Sequence, residues 1–141
     1  MYATVADMQA RYGAQLLAMA GKTETGQVDL EAVERALVAA TSEIDAVLSV
    51  RYAVPIAITP VPPILRRIAE DLAGSALPRN GAEQASMYER RAREARDLLD
   101  KLATGKAELG AKPAQPSGPV AGGGIAYSFP QSGFRQKLED L

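Results

Sequence analysis

Two groupings of side chains in this 141-residue sequence carry enough charge to suggest chemistry. The first is the carboxylates, Glu70 beside Asp71 and Glu43 near Asp45. Carboxylates that share a site can divide the work of general acid and base, provided burial or a like charge raises one pKa. Adjacent residues on a helix, however, project about 100° apart, so Glu70 and Asp71 are not expected to converge. The second is the arginine series Arg90, Arg91, Arg93 and Arg96, which could hold a phosphate. Glu89, Glu94, Asp97 and Asp100 sit among these arginines and no aromatic residue is interleaved. That pattern is expected from a solvated, ion-paired helix face, with pairs at spacing four such as Arg93–Asp97, Arg96–Asp100 and Asp97–Lys101. Gly105-Lys106 lacks the preceding glycine spacing of a phosphate loop.

The sequence has no histidine and no cysteine. The commonest general base at neutral pH, the thiolate nucleophile and the usual ligands of structural zinc are therefore all missing. No catalytic residue, cofactor or metal is expected, and the protein is expected not to be an enzyme. A net charge of −1 provides no overall field for nucleic acid or an anionic membrane. No apolar run approaches the roughly 20 residues that span a bilayer, and no secretory signal is visible at Met1–Thr4. The expectation is a soluble protein made in a cytoplasm.

The elements that would position any site are helical. Apolar residues make up 47% of the chain but aromatics only 5%, so Ala, Leu, Val and Ile must carry the core, which favours close-packed helices. Thr4 with Asp7 predicts a capping box that opens a short helix with Val5, Met8 and Tyr12 on one face. Asp29 predicts the N-cap of a helix over about 30–51, buried through Leu30, Val33, Leu37, Ala40, Ile44, Val47 and Leu48. Glu31 stands four residues ahead of Arg35 on its outer face. Four prolines between Pro55 and Pro63 exclude a continuous helix there, although Pro62 or Pro63 can occupy the first turn of the next one. That helix should bury Ile64, Leu65, Ile68, Leu72 and Ala76 and expose Arg66, Arg67, Glu70 and Asp71. A last long helix, about 83–104, should bury Tyr88, Ala92, Ala95, Leu98, Leu99 and Leu102 and stop at Gly105.

The expected fold class is all-α: a small bundle of about four helices with a proline-rich interhelical loop and an extended C-terminal arm. Residues 1–109 would form the domain, and residues 110–124, rich in Gly and Pro, a flexible linker. Residues 125–141 would form the arm. Ile125, Tyr127 and Phe129 alternate like a short strand, and Phe134 to Leu141 could form one or two helical turns. Both phenylalanines of the protein fall in this arm.

The order of motifs resembles a family from Mu-like phages and prophages, long catalogued as an uncharacterised phage domain. The residues that carry the resemblance are Met1-Tyr2-Ala3-Thr4-Val5-Ala6-Asp7-Met8, then Arg11-Tyr12-Gly13, and Ile44-Asp45-Ala46-Val47-Leu48 running into Arg51-Tyr52-Ala53-Val54-Pro55. Val61-Pro62-Pro63-Ile64-Leu65 and Ala69-Glu70-Asp71-Leu72-Ala73 follow, and the last helix fits as well. The resemblance covers about residues 1–109; the Leu77–Gly81 turn departs from the family's pattern.

The resemblance implies a small head–tail connector, an adaptor of the head-completion group. Such a subunit would sit in a ring, typically of about twelve copies, beneath the portal protein in the virion neck. It would join the DNA-filled head to the tail or to a stopper or tail-terminator protein, and DNA would pass through the lumen unread. Contacts to neighbours would come from the loop, through Arg51, Tyr52, Pro55 and Ile56, and from the arm, through Tyr127, Phe129, Phe134, Leu138 and Leu141. A tail-completion protein at the head-proximal tail end, or a small helical regulator or scaffold that binds one partner through the arm, would share these features.

Overall fold

The computed structural model describes residues 1–78 and 82–110, with side chains throughout except at 82–84. It is all-α. The described helices are α1 (Val5–Tyr12), α2 (Gln15–Ala20), α3 (Leu30–Leu48), α4 (Pro63–Ala76) and α5 (Ala82–Ala103). Among the described residues there is no strand, only an isolated bridge between Lys22 and Val28. No described helix is long and apolar enough to cross a membrane.

Local chemistry fixes the helix ends. The Asp7 amide donates to Thr4 Oγ1 at 3.1 Å and the Thr4 amide donates back to Asp7 Oδ2 at 2.8 Å, closing the expected capping box. Gly13, at φ +52°, ends α1, and α2 follows from Gln15. Asp29 accepts the Ala32 amide at 3.0 Å and starts α3. That helix stops at Leu48, whose carbonyl receives the amides of both Arg51 and Tyr52, at 3.0 and 2.8 Å. Pro63 takes the first position of α4, where a missing amide leaves no bond unmade. Gly105 follows α5 at φ +80°.

The core is one cluster drawn from all five helices. Leu37, Ile44 and Leu48 of α3 meet Leu65, Ile68 and Leu72 of α4 and Leu99 and Leu102 of α5. Met8, Leu16 and Met19 close one side from α1 and α2. Most of the expected stripe positions are buried, with three corrections. Leu30 is 44% exposed, because it is the first residue of α3 and lies ahead of the packed turns that begin at Val33. Ala76 is exposed, and Leu77 takes its place in the core because the backbone becomes extended there and swings that side chain inward. The third correction is larger. Glu70 and Asp71, expected outside, are 9% and 7% exposed. Every residue from Ile68 to Gly74 is buried, because α4 packs against both α3 and α5 and is met on a further side by Arg11 of α1.

Arg96 also departs from expectation. It reaches across to Glu43 of α3, at 2.6 Å from Nε, and does not pair with Asp100 along its own helix. The expected Arg93–Asp97 and Asp97–Lys101 pairs do not form, whereas Glu31–Arg35 does, at 3.8 Å. An inter-helix partner is within reach because α3 and α5 pack against each other, and two close contacts, at 2.6 and 3.3 Å, join the guanidinium to the Glu43 carboxylate.

Candidate functional site

Two tyrosines and one arginine organise the longest irregular connection between the described helices, residues 49–62. Arg51 and Tyr52 begin it. The Tyr52 ring is buried, with the Arg51 guanidinium stacked 5.3 Å from its centroid. From there Arg51 Nη1 donates to the Leu102 carbonyl at 3.2 Å and to the Ala107 carbonyl at 3.3 Å, and Nη2 lies 3.8 Å from Glu108. A guanidinium suits this position: the last carbonyls of a helix carry partial negative charge and lack amide partners. The beginning of the loop is thereby clasped to the end of α5. Gly105 is required beside it, since a Cβ there would lie 3.3 Å from Arg51 Nη1 as well as forcing a side chain into positive φ.

The middle of the loop is held from the other end of the chain. Ile56 donates its amide to Tyr2 Oη at 2.8 Å, and the Tyr2 hydroxyl in turn donates to Asp45 Oδ1 of α3. Burial and the Asp45 carboxylate push the Tyr2 phenol up to about 12. The Val54–Pro55 and Thr59–Pro60 peptide bonds are cis. From Ala53 to Val61 the loop carries no charged side chain and a single hydroxyl, Thr59, yet Ala53, Val54, Pro55, Ala57 and Pro60 are exposed. Val50, just before it, is 74% exposed. The result is a braced, uncharged projection.

A second Arg-Tyr pair repeats the first. Arg11 stacks 5.3 Å from the centroid of the buried Tyr12 ring, then forks to Glu70 Oε2 at 2.8 Å and Asp71 Oδ1 at 2.6 Å. The two neighbouring carboxylates therefore do share a partner: they need not converge on each other, because the planar guanidinium offers each a separate nitrogen. Burial pushes the Asp71 carboxyl up, and the charge and hydrogen bond of Arg11 oppose that shift without cancelling it. Tyr12 packs edge-on against Tyr88 of α5 at 5.9 Å, with Arg91 over the Tyr88 ring at 6.0 Å. This cluster ties α1, α4 and α5 together. It is filled by its own ion pairs, and among the described residues there is no group of acidic, histidine or cysteine side chains placed to hold a metal.

The expected contact residues thus divide. Arg51 and Tyr52 are used within the fold, one as a clasp and the other as core. Pro55 is exposed, and Ile56 is half-buried with its amide fixed by Tyr2. Tyr127, Phe129, Phe134, Leu138 and Leu141 lie outside the described residues, as do the linker beyond Gly110 and the strand-like and helical turns expected in the arm. Tyr2, Arg11, Glu70 and Asp71 were not expected to matter in this way. The signal that points to Arg11 is the dipeptide Arg-Tyr, which occurs at 11–12 and again at 51–52.

Residues 2–126 match the family described as Bacteriophage Mu, Gp36. The chain belongs to this family. The match to Mu Gp36 takes in Tyr2, both Arg-Tyr pairs and the whole proline-rich loop, and it runs past Leu109 into the Gly/Pro-rich segment. That is further than the resemblance carried by the motifs alone. A comparison with curated proteins finds no match. Membership of the Mu Gp36 family makes this a Mu-like phage protein, and the helical bundle is the form in which that sequence pattern folds.

Proposed function

We propose that this member of the Mu Gp36 family is a non-catalytic structural protein of the virion, the adaptor subunit of the head–tail connector. In this reading the bundle forms the wall of a ring beneath the portal protein, and the ring joins the DNA-filled head to the tail or to a stopper or tail-terminator protein. The observation that carries it is the braced proline-rich loop, conspicuously uncharged at its surface, in a chain of a phage family. An exposed loop normally carries polar side chains. One that projects valines and prolines on a fixed backbone is suited to burial against a neighbour with little ordering cost. A face of this kind, meeting a different face of the next copy, repeats around an axis and closes into a ring. DNA would pass through the lumen without base-specific contact, which suits a chain with no net positive charge.

Particles assembled without this chain test the proposal. An adaptor predicts heads packed with DNA and finished tails that remain unjoined, with joining restored when the purified protein is added. Complete, infectious virions from such a lysate would contradict a structural role and favour a helical regulator. Tails that are themselves defective would favour a tail-completion protein.

A further inference from the structure

We propose that the uncharged projection around Val50, Val54 and Pro55 is the receiving surface for residues 125–141 of this same sequence. The proposal deepens the connector reading by naming which surface takes the arm, and it rests on that reading only for its biological setting.

Arg51 holds the carbonyls of Leu102 and Ala107 and approaches Glu108, so the segment leading to Gly110 is fixed against the base of the loop. The sequence 111–141 therefore continues from a point tied to the base of the loop at Arg51. Fourteen residues, 111–124, separate that point from Ile125. A flexible coil of this length spans about 20 Å, and prolines extend it further, enough to return to the loop or to reach the loop of an adjoining copy.

The chemistry of the two parts is complementary. The projection offers exposed valine and proline with no charge to desolvate from Ala53 to Val61. Proline rings are compact, apolar partners for aromatic faces, and their fixed φ leaves less backbone to order on contact. Residues 125–141 hold Tyr127, Phe129 and Phe134, including both phenylalanines of the protein. Aromatic anchors of this type supply a large share of interface energy when seated in a fixed apolar surface. Two of the five large hydrophobic residues left exposed in the described structure, Val50 and Val54, fall within five positions of each other at the base of this loop. A contact between two different parts of one sequence is heterologous, so when the arm comes from a neighbouring copy it can lock a ring.

The test uses the full-length protein with a photoreactive benzoylphenylalanine in place of Phe129, prepared as an equal mixture of isotopically light and heavy chains. Irradiation and peptide mapping should place the adducts on the segment between Arg51 and Arg66. The isotope pattern then shows whether the arm comes from the same copy or a neighbour. The double variant Val50→Asp/Val54→Asp alters exposed side chains only, and its helical content and Tm should match the parent. It should lower the yield of adducts about tenfold or more, because a carboxylate would have to be desolvated in the contact. Adducts confined to other surfaces, such as α2 near Leu17, or a yield insensitive to the double variant, would overturn the proposal. These results are independent of where the protein sits in a particle: a failed cross-link leaves the neck assignment standing, and absence from the neck leaves the cross-link standing.

Discussion

Arg11 of α1 closes on Asp71 of α4 at 2.6 Å, and its other terminal nitrogen takes Glu70 at 2.8 Å, so one guanidinium lets two adjacent carboxylates lie inside the bundle. Asp71 and Glu70 would otherwise be uncompensated charges in the core, since Arg67 approaches Asp71 only at 3.9 Å from an exposed position. Removing one partner of a buried pair costs far more than the pair contributes as a whole.

Arg11→Ala is therefore expected to lower unfolding stability by about 2–4 kcal/mol. Arg11→Lys should recover only part of this, because an ammonium cannot fork to two carboxylates in fixed geometry. Urea unfolding followed by far-UV circular dichroism checks both; a loss below about 0.5 kcal/mol for Arg11→Ala would place the pair in the class of exposed ion pairs.

Tyr2 makes stability sensitive to alkali. Its folded pKa is raised from 10.0 to about 12, so folding favours the protonated phenol. That contribution is fully present below pH 10 and is lost as pH rises from 10 toward 12. Tyr2→Phe is expected to cost about 1–2 kcal/mol at neutral pH, through loss of the Ile56 and Asp45 hydrogen bonds. The variant should also lose stability less steeply than the parent between pH 10 and 12. Tyr12 is raised by burial as well, so the comparison with Tyr2→Phe is what isolates Tyr2.

Tyr52 should behave oppositely. Its hydroxyl is buried and has no hydrogen-bond partner among the described residues. Tyr52→Phe removes an unsatisfied polar atom and keeps the ring under Arg51, so stability should be unchanged or higher by up to about 1 kcal/mol. Thermal unfolding measured side by side with Tyr2→Phe would show the two substitutions moving Tm differently, with only Tyr2→Phe lowering it.

Gly74 lies in the middle of α4, where alanine would ordinarily favour the helix by about 1 kcal/mol. A Cβ at this position would stand 2.8 Å from Tyr12 Oη. The Tyr12 ring is held edge-on by Tyr88 and cannot retreat freely. Gly74→Ala should therefore destabilise by about 1–2 kcal/mol despite its propensity. Combined with Tyr12→Phe, which removes the obstructing oxygen, the same substitution should cost less or become favourable. Additive effects in that double-mutant cycle would show that the clash is not the cause.

The helices were legible because their signals are local. The Thr4–Asp7 box, the Asp29 cap, Pro63 at a first turn and Gly105 at a last one all operate within a few residues, and each stands where expected. The burial of Glu70 and Asp71 was not legible, because it depends on Arg11, 59 and 60 residues away, and on neighbours on several sides of α4. Arg96 was assigned to its own helix for the same reason: spacing reveals partners along a helix and is silent about Glu43 across the bundle. Arg51 and Tyr52 are expected from sequence to contact a neighbour and are used within the fold, because an arginine followed by a tyrosine does not show whether it faces a partner or the chain itself. The repetition of that pair at Arg11-Tyr12 was the available clue that both serve the fold.

The connector assignment is tested most directly by cryo-electron microscopy of intact virions, with reconstruction focused on the neck. The expected result is density for a ring of this helical subunit directly beneath the portal, with the Val50–Pro55 projection buried at a subunit boundary. A neck fully accounted for by other proteins, with this chain absent or placed elsewhere in the particle, would contradict it.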